Sequence, residues 1–145
     1  MSYVYLNGEF IKADQAMVSV FDQGLLYGDG IFESFRSIGD RIYQFPQHYQ
    51  RLLQSAEALS YPMTFTQQKL EAILMELRTR NDLNDAYYRI TITRGKGQVG
   101  FQRELENDLT CLVIGREFQA VDSAFYQQGI QLRVAQTRRN APEAI

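Results

Sequence analysis

A chain of 145 residues with 45% hydrophobic and 22% charged side chains and a formal net charge of -2 has the make-up of one ordinary globular domain with a substantial core. The balance argues against a nucleic-acid or anionic-membrane partner, because both need clustered cationic side chains on a distinctly basic surface. A single cysteine, Cys111, excludes an internal disulfide and a multi-thiolate metal site.

Cys111 lies in the apolar run Leu109 to Ile114, which predicts a small core residue rather than a reactive thiol. No apolar run is long enough to cross a bilayer, and Met-Ser-Tyr-Val lacks the basic start and apolar stretch of a signal peptide. These features together read as a cytoplasmic protein.

In chain order, Tyr3 to Leu6 and Glu9 to Lys12 are β-prone runs joined by Asn7-Gly8, a pair that tolerates the positive φ of a two-residue hairpin turn. Ala13 to Asp22 reads as a connection, with a short extended piece over Val18 to Phe21. Gly24, Gly28 and Gly30 then mark a turn before a strand over Ile31 to Ile38. On that strand Phe32, Ser34 and Arg36 share one face, and Ile31, Glu33, Phe35 and Ser37 share the other. Gly39-Asp40 signals a second hairpin with Arg41 to Phe45 returning.

Pro46 suits the first turn of a helix whose apolar stripe is Tyr49, Leu52, Leu53, Ala56 and Leu59, with His48 and Arg51 as surface neighbours three residues apart. Thr66 caps a second helix with Leu70, Ile73, Leu74 and Leu77 inward and Asn81 near its end. Ala86 to Arg94 follows as a strand with Tyr88, Ile90 and Ile92 on its apolar face. Its other face carries Tyr87, Arg89, Thr91 and Thr93, either a solvated row or a hydrogen-bonding wall suited to a small carboxylate.

Gly95 to Gly100 matches GxGxxG directly after a strand, but a dinucleotide site needs that turn to open a helix within a βαβ unit. Phe101 to Asn107 reads as short and irregular, so the run is expected to be a flexible loop over a cleft or at a hairpin end. Leu109 to Arg116 is the next strand. Residues 1–118 are thus expected to form one α+β domain, an antiparallel sheet with two helices packed on it. Residues 119–128 read as an interdomain linker. Residues 129–145, opening on the alternation of Ile130, Leu132 and Val134, read as the first strand and cut-off start of a second domain.

Several chemistries find little support. His48 is the only imidazole, with no carboxylate at ligand spacing on its helix, and no serine sits in a nucleophile-elbow context. What recurs is arginine, twelve against three lysines, placed near aromatic hydroxyls. Tyr27 with Arg36, Tyr87 with Arg89, and Arg51 beside His48 are equipment for holding anions, since guanidinium groups offer fixed bidentate donors to carboxylate and phosphate.

Four runs, in order, carry a resemblance: Leu-Leu-Tyr-Gly-Asp-Gly-Ile-Phe-Glu, His48-x-x-Arg51-Leu52, Tyr-Tyr-Arg-Ile-Thr-Ile-Thr-Arg-Gly and Thr-Arg-Arg-Asn-x-Pro-Glu-Ala-Ile. Together they resemble the class IV, fold-type IV aminotransferases, pyridoxal-phosphate enzymes that include branched-chain aminotransferases, D-amino-acid aminotransferases and 4-amino-4-deoxychorismate lyases. The resemblance covers essentially the whole chain. It implies that Arg51 binds the cofactor phosphate, that His48 and Glu33 belong to the polar network around it, and that Tyr27, Phe32, Ser34, Arg36, Tyr87 and Arg89 line the substrate pocket.

The resemblance further implies transamination between an amino acid, branched-chain or similar, and a 2-oxo acid, by a homodimer. The Schiff-base lysine of the family would fall beyond Ile145; Lys12, Lys69 and Lys96 do not match it, so the 145-residue stretch alone is expected to be inert. Two departures bear on substrate: Ser34 stands where branched-chain aminotransferases commonly have glycine, and Ile90 where they have proline. Phe-Glu-Ser-Phe-Arg looks somewhat closer to the lyase, which releases pyruvate, or to unassigned members of the family. A non-catalytic binding domain that keeps only the fold is the remaining alternative.

Overall fold

Alternating burial on two long strands organises the molecule. The structure, a computed structural model, describes residues 2–100 and 108–137. Strands β1 (Tyr3–Leu6) and β2 (Glu9–Lys12) form the expected hairpin, with Asn7 at φ 48° and Gly8 at φ 106° in its turn. Helix α1 (Gln23–Tyr27) precedes β3 (Gly30–Ile38) and the two-residue β4 (Arg41–Ile42). Helices α2 (Phe45–Ala58) and α3 (Gln67–Arg80) lead to β5 (Ala86–Thr93) and β6 (Thr110–Glu117), and α4 (Ser123–Gln128) follows.

The six strands make one antiparallel sheet in the order β2-β1-β6-β5-β3-β4, and the architecture is α+β. Helices α2 and α3 share one core with a single face of it. Ile31 and Phe35 of β3, Tyr88, Ile90 and Ile92 of β5, and Cys111 and Val113 of β6 meet Leu52, Ala56, Leu70, Ile73, Leu74 and Leu77. Each fully buried leucine contributes roughly 1.5–3 kcal/mol, so this layer dominates the stability. Cys111 is a core residue as expected, and burial pushes its thiol up to about 12.

The caps follow the sequence. Pro46 lies in the first turn of α2, Thr66 Oγ1 accepts the Lys69 N–H at 3.2 Å, and Asn81 closes α3. The Asn81 side chain also accepts from Tyr3 N–H at 2.6 Å and donates to Tyr3 O at 2.9 Å, clipping β1 to α3.

Three expectations are corrected. The glycine-rich stretch after Asp22 is a helix, because Asp22 caps it by accepting the Gly24 N–H at 2.8 Å, and Gly24 packs so tightly on Thr93 that a Cβ there would collide with the threonine methyl. The return strand stops at Ile42, because Phe45 starts α2 and buries its ring against Phe35 at 5.2 Å. Within residues 119–128, read as a linker, lies α4, capped by Asp122. Residues 130–134 form no strand: Ile130, Leu132 and Val134 are 66%, 84% and 93% exposed, and alternation without a neighbouring strand leaves its backbone to solvent. Val18 to Phe21, read as a short extended piece, is not among the six strands of the sheet, and Asp22 after it makes one isolated bridge to Lys96.

Candidate active site

The alternation of β3 sends its polar side chains to opposite faces of the sheet. Glu33 is turned toward α2 and is 8% exposed among apolar neighbours. A carboxylate there must be paired, and α2 supplies the partners one turn apart. Arg51 donates Nε to Glu33 Oε1 at 3.0 Å and a terminal nitrogen to Oε2 at 2.6 Å, the bidentate geometry of a strong pair. His48 Nδ1 lies 2.7 Å from Glu33 Oε2. The same Nδ1 lies 3.0 Å from a terminal nitrogen of Arg51, so the imidazole sits between the carboxylate and the guanidinium, donating to the one or accepting from the other according to its tautomer.

Glu33 also raises the pKa of Arg51, first through the hydrogen bond and then through its charge, so the guanidinium stays cationic. The Arg51 side chain is 59% exposed while its partner is buried. One edge of the guanidinium is held by Glu33, and the rest faces outward. Glu33 balances the charge of Arg51.

Phe32, Ser34 and Arg36 face the open side of the sheet, and pairing sets Thr91, Arg89 and Tyr87 opposite them in turn. Tyr87 donates its hydroxyl to Ser34 Oγ at 2.9 Å, and Arg89 Nη1 donates to the same oxygen at 3.5 Å. The Arg89 guanidinium lies 3.7 Å from the Phe32 ring centroid, a cation–π stack that leaves its N–H edge available. The pocket residues expected from Phe32 to Arg36 and at Tyr87 and Arg89 are therefore neighbours. Because β4 pairs only with Ser37 and Ile38, the edge of β3 before them has no strand neighbour among the described residues.

Tyr27 stands apart from both groups. It ends α1, and its hydroxyl accepts the Gly100 N–H at 2.9 Å, at the opposite end of β5 from Tyr87. Asp22, 1% exposed, holds α1 there by accepting from Thr93 and Thr110 hydroxyls, each at 2.8 Å. A third network ties α2 to the sheet: Arg94 donates to Asp29 Oδ2 at 3.3 Å and to Leu59 O at 2.7 Å, and Tyr61 donates to Asp29 Oδ1 at 2.8 Å. Asp22, Asp29, Tyr61 and Arg94 were not singled out from the sequence; the Gly-Asp-Gly setting of Asp29 was a signal, but its partner lies 65 residues away. The run after Thr137 and the segment after Gly100 lie outside the described residues.

Residues 30–144 match the model of the amino-transferase class IV family. The chain belongs to that family. It is 41% identical over 97 residues to a putative branched-chain-amino-acid aminotransferase of Methanocaldococcus jannaschii, covering 67% of this chain and 34% of the relative. It is 33% identical over 95 residues to the D-alanine aminotransferase of Staphylococcus epidermidis, covering 66% and 34%. Among solved structures, the branched-chain amino acid aminotransferase of Escherichia coli superposes with a TM-score of 0.82 at 25% identity, covering 97% of this chain and 46% of that one. The chain spans about a third of the length of the curated relatives it matches. Both branched-chain and D-alanine enzymes thus stand among the relatives of this class IV aminotransferase chain. Among the described residues no helix is long and apolar enough to cross a membrane, and no group of three or more His, Cys, Asp or Glu side chains is placed to hold a metal ion.

Proposed function

We propose that the protein containing this chain transfers an amino group between an amino acid, branched-chain or similar, and a 2-oxo acid, with pyridoxal phosphate as cofactor. The observation that carries the reading is the Glu33–Arg51–His48 group: a buried carboxylate fixes an arginine whose outer edge is exposed, the donor set a phosphate dianion requires. Arg51 binds the phosphate, while Glu33 and His48 hold the guanidinium in one rotamer. When bound, pyridoxal phosphate supplies the electron sink for breaking a bond at the α-carbon of the amino acid. Phe32 and Tyr87 wall the side chain of the substrate, and Arg89 with Ser34 orients a carboxylate against them. Tyr27 closes the pocket from the Gly100 side, and Arg36 lines its far end. Residues 1–118 act as the substrate-pocket domain, 119–128 join it to the cofactor-binding part, and 129–145 begin that part; the working form is a cytoplasmic homodimer.

The decisive experiment is an amino-transfer assay of the gene product including whatever follows Ile145, with branched-chain L-amino acids and D-alanine as donors. Transfer that depends on added pyridoxal phosphate supports the reading, and a saturable cofactor with no transfer to any 2-oxo acid overturns it. The 145-residue stretch alone carries no lysine at the expected cofactor position and is predicted to show no transfer. A lyase that releases pyruvate is the second reading, favoured by Ser34, whose hydroxyl is already engaged by Tyr87 and Arg89. Pyruvate release from an aminated chorismate derivative, without net amino transfer, would select it.

A further inference from the structure

The glycines of the GxGxxG run, Gly95 to Gly100, serve contacts inside the molecule. The run lies along α1 and is bonded at both ends of that helix. Gln23 N–H donates to Gly95 O at 2.8 Å, Gly97 N–H donates to Phe21 O at 3.1 Å, and the isolated antiparallel bridge sets Asp22 against Lys96. Where α1 ends, Gly100 N–H donates to the Tyr27 hydroxyl at 2.9 Å. Gln23 and Tyr27 are one turn apart and share a face, so the run meets a single side of the helix.

The approach is close enough to dictate residue type. A Cβ on Gly95, at φ 81°, would collide with the backbone oxygen of Asp108, and one on Gly97 would lie 2.8 Å from Gln23 Nε2 and 2.9 Å from its Cδ. The Gln23 side chain therefore fills the space that the missing side chain of Gly97 leaves. Gln23 is 4% exposed, and a buried amide must have its donors accepted. Its Nε2 donates to Phe21 O at 3.3 Å, just before α1, and to Gln98 O at 3.4 Å, within the run. Both partners are carbonyls, which only accept, so the nitrogen of the amide and not its oxygen is turned toward them. One side chain thus ties the start of α1 to a stretch 75 residues away.

We propose that Gln23 is a positioning residue of the substrate pocket: its amide latches the glycine-rich run against α1, and the run in turn fixes the Tyr27 hydroxyl through the Gly100 N–H. The inference rests on the reading of Tyr27 as a pocket wall and deepens it. Tyr27 is 46% exposed at the end of a five-residue helix, and so short a helix does not by itself fix the far end of a long side chain. The Gly100 contact sets where the phenol oxygen sits, and a shift of the run carries it along. Gln23 is buried, so its effect on a ligand passes through Tyr27. The GxGxxG run thereby acquires a role that has nothing to do with a dinucleotide.

The test is steady-state amino transfer by the gene product including whatever follows Ile145, with L-leucine and with D-alanine as donor, alongside hydrogen exchange of the Gly100 amide. Gln23→Met keeps the length of the side chain and removes both donors. It should raise the donor KM about five- to tenfold, as the loss of one hydrogen bond implies, with kcat and the pyridoxal phosphate requirement unchanged and Gly100 exchange faster. Gly97→Ala, whose methyl pushes the same amide away from Gln98 O, should do likewise. In a Tyr27→Phe background, which lacks the oxygen that Gly100 holds, Gln23→Met should add less than about twofold. Unchanged Gly100 exchange, a KM unchanged in both variants, a rise shared by the cofactor requirement, or full additivity with Tyr27→Phe overturns the proposal. Transfer by the wild type with no KM change in the variants sinks this role alone; no transfer by the wild type sinks the aminotransferase reading and this role with it.

Discussion

The two faces of the central sheet are made by the same strands and obey opposite rules. On the helix-covered face, Ile31, Phe35, Tyr88, Ile90 and Cys111 are buried, and the buried carboxylate of Glu33 is satisfied by Arg51 and His48. On the open face, Phe32 is 55% exposed and three arginines rest on rings, with no ion pair among the described residues. The first face is arranged for stability and for fixing Arg51; the second forgoes stability to keep donors available. Substitutions on the two faces should therefore separate into those that unfold the domain and those that change what it binds.

The largest loss is expected in the covered layer. Leu74 is fully buried, so Leu74→Ala should cost about 3–4 kcal/mol in denaturant unfolding through lost burial and the cavity left behind. Asp22→Ala strips one N–H and two hydroxyls of their acceptor and should cost about 2–3 kcal/mol, with loss of the ordered α1 seen in hydrogen exchange. An unchanged exchange rate at Gly24 would show that packing of Gly24 on Thr93 holds α1 without the cap.

How far the sequence carried these distinctions depended on range. Period-two alternation on β3 and β5 is local, and the assignment of Phe32, Ser34 and Arg36 to one face and Glu33 to the other was readable directly. The helix stripe Leu70, Ile73, Leu74 and Leu77 was equally local, and all four are buried. Bonds that need register were not readable from spacing: Asp22 reaches Thr93 and Thr110 across 71 and 88 residues. Helix α1 was hidden for a different reason, because three glycines signal a turn, whereas Asp22 capping and the missing Cβ of Gly24 allow a short helix to sit flat on the sheet. Arg116 lay unremarked at the end of an apolar run; only the register sets it opposite Tyr87.

A smaller effect is expected at Glu33. Glu33→Gln keeps shape but removes the charge that holds Arg51, and because Arg51 is mostly exposed the stability loss should be about 1–2 kcal/mol, accompanied by weaker phosphate binding. A larger stability loss with unchanged phosphate affinity would make the group purely structural.

The covered face should also respond to alkali. The native Cys111 thiol keeps its proton up to about 12, while the unfolded thiol loses it above its ordinary value of 9.0. The unfolded state therefore binds fewer protons above pH 9.0, and stability, complete below that point, should fall by about 1 kcal/mol by pH 10. Tyr61, raised by burial and by its bond to Asp29, adds to the decline above 10.0. Cys111→Ala should flatten the slope between pH 9 and 10; an identical slope would mean that the thiol does not titrate on unfolding.

The smallest stability effect belongs to the open face. Arg89→Met and Arg116→Met should shift the unfolding free energy by no more than about 0.5 kcal/mol, or raise it, since each relieves repulsion without opening a cavity. A loss of 2 kcal/mol or more would place these arginines among the structural elements and erase the contrast.

Arg51 links the buried carboxylate of the covered face to the outside. Its most direct test is amino transfer by the full gene product, wild type against Arg51→Met, measured over a range of pyridoxal phosphate concentrations. Loss of one bidentate charged contact predicts that the variant needs about ten to a hundredfold more cofactor while the rate at saturation is largely retained. An unchanged cofactor requirement would contradict the assignment of the Glu33–Arg51–His48 group to the phosphate.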